Sequence, residues 1–215
     1  MCSDRMTYIV QKGRWCNIIV WNVHAPSENK SDDSKDSFYE ELEQVFKHFP
    51  KYHTKIILGD FNVKLGGEDI LKPTIGNESL HQDCNDNGVR IVNFAISKNL
   101  VVKSTMFLHR NIHKYTCTSP DVNTQNQVVH MLIDKRWHSS TLDARSFRGA
   151  DCNTDHYLVV SKFMERLTIS KQLAQKFDVV RFKLRQLNDL ESSKSIRLRF
   201  KKGWQLWSIS MIARI

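Results

Sequence analysis

Ile56-Ile57-Leu58-Gly59-Asp60-Phe61-Asn62 is an apolar run closed by a glycine, a carboxylate and an amide. A short apolar run bounded by polar residues reads as a buried strand that delivers its last side chains to the mouth of a sheet. Side chains alternate faces along a strand, so a regular strand through Asn62 sends Asp60 and Asn62 one way and Phe61 the other. A carboxylate and an amide together at a strand end suit water activation and contact with phosphate or a metal. Gly, Asp and Asn are also turn formers, and from this stretch alone both readings stand.

The flanking sequence supplies a frame for that strand. Thr7 to Val10 and Trp15 to Val23 are β-rich runs around Lys12-Gly13-Arg14, the pattern of a hairpin whose second strand stops at His24-Ala25-Pro26. Ser31-Asp32-Asp33-Ser34 then gives helix-start signals, and Phe38, Leu42, Val45, Phe46 and Phe49 recur at the spacing of one helical face before Pro50. Strand, helix, strand in that order predicts a βαβ-like crossover into Ile56–Leu58. Asn85-Asp86-Asn87-Gly88 reads as a turn into a helix with Val89, Val92, Phe94 and Ile96. Short strands are expected over 100–103, 114–118, 127–133, 141–147 and 157–163, so the whole predicts a layered α/β sandwich.

Length and composition fit one sizeable domain with an appendage: 215 residues, 40% hydrophobic and 26% charged. There is no apolar stretch of membrane-spanning length and no signal-peptide pattern at the N-terminus, so an intracellular protein of nucleus or cytoplasm, without a membrane partner, is the expectation. The five cysteines are scattered with no Cys-x-x-Cys pair, which argues against a zinc site and a disulfide framework. Residues 1–160 carry 19 basic and 19 acidic side chains, while 161–215 carry 13 and 4, so the net +9 belongs to the C-terminal stretch. Residues 168–215 read as a basic extension, partly helical or disordered, either merely solvated or adding non-specific contact with nucleic acid.

Two further polar strand ends could share a rim with Asp60. Asp155-His156 opens the run Tyr157-Leu158-Val159-Val160, offering a hard oxygen ligand beside an imidazole that can donate to a phosphate oxygen. His24 closes the run ending at Val23. Asp, Asn and His converging from three strands suit metal-assisted phosphoryl transfer. A calcium loop, by contrast, fails: Asp83-x-Asn85-x-Asn87-Gly88 begins like one, but its closing glutamate position is Phe94.

These motifs carry a resemblance. Gly59-Asp60-Phe61-Asn62 together with Thr154-Asp155-His156 resembles the endonuclease/exonuclease/phosphatase superfamily. Asn22-Val23-His24-Ala25-Pro26, Asn85-Asp86-Asn87-Gly88-Val89-Arg90, His113 to Pro120 and Ser146 to Asp151 resemble, more narrowly, the endonuclease domain of RTE/BovB-type LINE retrotransposons. Residues 12 to 167 or so are covered. The resemblance implies a partial four-layer α/β sandwich, DNA as partner, phosphodiester hydrolysis as activity and Mg2+ as cofactor. It implies Asp60 for proton transfer, Asn62 for orienting water, His24 and His156 for phosphate contact, and Asp60, Asn62 and Asp155 for the metal.

Departures from the family pattern set a second expectation. The sequence begins at about the middle of the domain, so the family's metal-binding glutamate has no counterpart in it. Where relatives read Gln-Ile-Asp-His-Ile, this chain has Gln127-Val128-Val129-His130-Met131, so the aspartate expected to orient the catalytic histidine is Val129. Cys117 replaces a usual tryptophan and Asn153 a usual aspartate. The expectation is a degenerate nuclease, with a non-catalytic remnant that binds nucleic acid or protein as the alternative.

Overall fold

The computed structural model describes residues 4–13, 16–67, 71–119, 124–148 and 155–164, and the backbone of 208–213. Two compact units divide the chain, 1–163 with 209–215 and 164–208. The second lies almost wholly outside the described residues, and with it most of the expected basic extension.

The predicted hairpin is present as β1 (Met6–Gln11) and β2 (Ile18–His24), antiparallel with Met6 opposite Val23. Helix α1 (Asp32–His48) has Asp32 and Asp33 in its first turn and Lys47 and His48 in its last, charges that complement the helix dipole. It ends before Pro50, as expected. Strand β3 (Thr54–Asp60) then runs parallel to β2, with Ile18 opposite Thr54 and His24 opposite Asp60. The β2–α1–β3 crossover is therefore real, and it puts His24 and Asp60 side by side.

Helix α2 (Asp86–Ser97) is capped by the Asn85 side chain, which accepts from Gly88 N at 2.9 Å. The helix is the one expected from sequence, and its core side is formed by Ile91, Val92, Phe94 and Ala95, which are buried, whereas Val89 and Ile96 are 49% and 54% exposed.

The rest of the sheet follows from β4 (Leu100–Val102) and, after the short pair β5 (Cys117–Thr118) and β6 (Gln125–Asn126), from β7 (Val129–Asp134). The main sheet has the order β1-β2-β3-β7-β4. A second sheet contains β8 (Thr141–Phe147), β9 (Leu158–Met164) and β10 (Ser208–Ala213) in the order β10-β9-β8. Strand β10 falls inside the expected extension.

The core has two compartments. Trp21, Val23, Ile57 and Leu132 on one face of the main sheet pack with Phe38 and Leu42 of α1 and Ile91, Val92 and Ala95 of α2. Ile18, Ile56, Leu58, Met131 and Ile133 on the other face pack with Ala144 and Phe163 of the second sheet. Among the described residues the layers are thus helices, sheet, sheet. Strand β3 lies near the middle of the main sheet with all seven residues buried, which makes its C-terminal end a protected rim for polar groups.

Gly59 is the tightest point of β3. Its φ is +152°, and a Cβ there would lie 1.9 Å from the backbone oxygen of Val23 on β2. No rotamer relieves a clash with backbone, so Gly59→Ala must separate β2 from β3 beside the site. We expect a loss of about 3 kcal/mol or more, read as a lower urea midpoint at unchanged slope. A midpoint equal to that of the parent chain would contradict this packing.

Candidate functional site

Both readings of the opening stretch hold at once. Asp60 is the last residue of β3, and the chain turns immediately after it, with Asn62 in the left-handed region at φ 52°. The Asp60 side chain makes that turn: its Oδ1 accepts from Asn62 N at 2.9 Å. Asp60 and Asn62 are therefore joined by a turn rather than by strand alternation, a correction to the expected geometry. Phe61 points away into the helix-side core and is fully buried.

Three elements converge on the Asp60 carboxylate, which is only 2% exposed. From β2, His24 Nδ1 lies 3.9 Å from Asp60 Oδ2, and the His24 ring is half open to solvent. Entering β9, His156 Nε2 lies 4.0 Å from the same oxygen. From β7, Val129 sits directly opposite Asp60 in the antiparallel register, so its side chain occupies the same face of the sheet. Asp155, next to His156, is exposed at the rim.

Burial pushes the Asp60 carboxyl above the ordinary carboxylate range. The Asn62 amide and the two histidines pull it back, and the Asp155 charge adds a further push upward. A buried carboxylate with a raised pKa and two imidazoles within 4 Å is suited to accepting and passing a proton.

Asn62 is placed by residues that the sequence alone presents as a simple turn. Its Nδ2 donates to Ala25 O at 3.0 Å, which leaves Oδ1 as the acceptor end of the amide. Its backbone oxygen accepts from Asn85 Nδ2 and Asn87 Nδ2, each at 3.3 Å, and Asn87 Nδ2 also donates to Pro26 O at 3.1 Å. The start of α2 thus clamps the loops that carry both Asn62 and His24. The signal was present in the Asn85-Asp86-Asn87 run, since an amide can bridge two backbone carbonyls, but nothing in the sequence says which ones. Asn87→Ala would remove the donor to Pro26 O and leave Asn62 O with Asn85 Nδ2 alone, at a cost of about 1–3 kcal/mol. Differential scanning calorimetry would show this as a lower Tm, by about 2–4 °C per kcal/mol for a chain this size. A melt within half a degree of the parent would remove Asn87 from this role.

His156 is held by a backbone ladder. Cys117 forms an isolated bridge with His156, Thr118 N donates to Asp155 O at 2.9 Å and Tyr157 N donates to Thr116 O at 2.8 Å. Thr116 Oγ1 in turn accepts from Val128 N at 2.8 Å and Val129 N at 3.1 Å. Cys117, absent from the site expected from sequence, therefore lies beside His156, and burial raises its thiol pKa to about 11. Arg148 stacks on Tyr115 and Tyr157, 5.5 and 5.0 Å from their ring centres. Asn153 and the rest of 149–154 lie outside the described residues.

Two other polar groups are excluded from the rim. His130 is fully buried between Ser104 Oγ and Gln127 O, at 3.0 and 3.1 Å, and burial lowers its pKa to about 4, so it stays neutral. Asp134, at the far end of β7, is engaged by Arg136 at 2.6 Å. It is not in reach of His156, as its odd separation from Val129 required.

As a hard-cation site the rim offers two carboxylates, Asp60 and Asp155, and the Asn62 amide oxygen. Mg2+ is commonly bound by one or two carboxylates, with waters and substrate phosphate completing its shell. The donor set fits such an ion, held jointly with a substrate.

No family model matches the chain. Craniofacial development protein 2 of Bos taurus is 33% identical over 177 residues, which is 82% of this chain and 30% of that protein. The chain therefore spans under a third of the length of this curated relative. Among solved structures, the endonuclease domain of TRAS1, a telomere-specific non-LTR retrotransposon, aligns with a TM-score of 0.49 and 14% identity, over 71% of this chain and 58% of that one. The 3' phosphatase NExo from Neisseria, bound to a product DNA hairpin, aligns with a TM-score of 0.49 and 18% identity, over 73% and 64%.

Proposed function

From a chain homologous over most of its length to part of craniofacial development protein 2, we propose a metal-dependent phosphodiesterase site of the endonuclease/exonuclease/phosphatase kind, acting on DNA. The observation that carries this reading is the buried Asp60 carboxylate with His24 and His156 3.9 and 4.0 Å away. A buried carboxylate is costly unless it is paired and hydrogen-bonded, and here the groups that surround it are those suited to proton transfer and phosphate contact.

In this reading Asp60 takes the proton of the attacking water, and Asn62 Oδ1 holds that water on line. His156 and His24 donate hydrogen bonds to the phosphate oxygens as charge builds on them. Asp155, Asp60 and Asn62 are the residues that would hold Mg2+, which supplies charge neutralisation on the phosphate when bound.

Nicking of supercoiled plasmid tests the reading. The expected result is conversion to open circles with Mg2+, none with EDTA, and a slowing of about 10²-fold or more in Asp155→Ala, since one of two carboxylates is lost. Nicking that survives EDTA and this substitution alike would belong to a contaminant, and its absence from folded protein would sink the proposal. A second reading, a non-catalytic remnant that binds nucleic acid or protein, is favoured by Val129, an apolar side chain opposite Asp60 where the resemblance places a carboxylate.

A further inference from the structure

Cys117 belongs to no role in that reading, yet its surroundings have the composition of a different site. Its Sγ, a carboxylate oxygen of Asp155 and a ring nitrogen of His156 all lie within 4.8 Å of one another. The three positions are fixed by main-chain bonding: Cys117 bridges His156, Thr118 N donates to Asp155 O, and Tyr157 N donates to Thr116 O. Cys117 and His156 are half-buried, and Asp155 faces solvent, so the group has a packed base and an open mouth.

The donor types decide which ion suits it. One sulfur, one nitrogen and one oxygen form a borderline-soft set that zinc-class ions prefer and Mg2+ does not. Bonds of about 2.0–2.3 Å in a tetrahedron give ligand-to-ligand edges of about 3.3–3.8 Å. The group needs a contraction of about 1 Å, which side-chain rotation on a fixed backbone supplies. Three protein ligands leave a fourth position for water or a phosphate oxygen. The competing structural reading is a cysteine that merely packs beside a histidine. That reading calls for no third ligand, and Asp155 supplies one.

We propose that Cys117, Asp155 and His156 form a binding site for a zinc-class divalent ion. Binding replaces the thiol proton, which passes to the buffer, with a sulfur–metal bond; no oxidation or reduction takes place. Because Asp155 and His156 are shared, an ion here withdraws both from the phosphate chemistry proposed above, so Zn2+ and Mg2+ act in opposition.

Titrating the full chain with Co2+ under reducing, chelator-free conditions reads the site without any activity. A thiolate bound to cobalt gives an intense near-ultraviolet charge-transfer band. The band is expected to saturate at one equivalent, to be abolished by stoichiometric Zn2+, and to persist in Cys16→Ser, whose cysteine lies two residues before β2. Cys117→Ser should eliminate the band, and Asp155→Ala should keep it while weakening cobalt binding at least tenfold. Circular dichroism confirms that each chain is folded. A folded parent chain without the band, or a band that survives Cys117→Ser, overturns the proposal. Since no step depends on nicking, the cobalt titration decides on this site even if the chain cuts no DNA.

Discussion

Asp60→Asn is expected to abolish magnesium-dependent nicking, by about 10³-fold or more, and to leave a more stable protein. Loss of activity follows from the role of the carboxylate as the proton acceptor, which an amide cannot take over. The gain in stability follows from the environment of Asp60. Its Oδ1 accepts a hydrogen bond from Asn62 N, which the amide oxygen of asparagine can retain, while the charge that burial disfavours is gone.

The sign of the pH dependence is fixed by the direction of the shift. The folded-state pKa of Asp60 is raised above its ordinary 3.8, with burial as the main cause. A raised carboxyl favours the fold most below the unfolded pKa, and that contribution is lost as pH rises through the folded pKa. Above the folded pKa the parent chain therefore carries an ionised, disfavoured carboxylate, and Asp60→Asn does not. In metal-free buffer the Tm difference should be largest above the folded pKa and should shrink as pH falls towards 3.8. The same raised pKa sets the acid limb of the nicking profile, because Asp60 must be ionised to accept a proton. A variant that is less stable than the parent at neutral pH, or that still nicks, would contradict the assignment.

Apolar patterning made much of this architecture legible. The run ending at Leu58, the helical spacing of Phe38 to Phe49 and the Pro50 stop all encode one buried element packed on another, and β1, β2, α1 and β3 follow from them. Asp60, His24 and His156 could be singled out because each is a polar residue at the end of an apolar strand. Which apolar residues of α2 face the core is not local information: Ile91, Val92, Phe94 and Ala95 are buried while the equally apolar Val89 and Ile96 are exposed, a choice made by the sheet beneath. Long-range partners left no local mark: the Asn87 bridge to Pro26 and Asn62 spans 61 and 25 residues. Cys117 was legible as a departure from a family pattern and not as a neighbour of His156, since that contact is made by two strands that meet only in the folded chain.

Val129→Asp is the strongest test of whether the site has lost a part or never needed it. Val129 is 1% exposed on β7, opposite Asp60 on the same sheet face. The Thr116 hydroxyl ties the Val129 backbone to the segment that pairs with His156. A carboxylate at 129 would lie beside Asp60 on the same sheet face, the position from which the resemblance has an aspartate orient the catalytic histidine. Loss of an orienting carboxylate costs about 10⁴-fold in a serine-protease triad, so restoration here is expected to raise magnesium-dependent nicking by about 10³–10⁴-fold. The cost falls on stability. A second carboxylate beside a buried one raises the pKa of the pair and leaves charge in an apolar wall, so the Tm should fall at neutral pH and recover as the pH is lowered. The two readouts separate the possibilities. Faster nicking with a lower Tm shows a nuclease site impaired at one position. A lower Tm with unchanged nicking in folded protein shows that the aspartate is not the missing part, and favours the reading in which the rim binds without cutting.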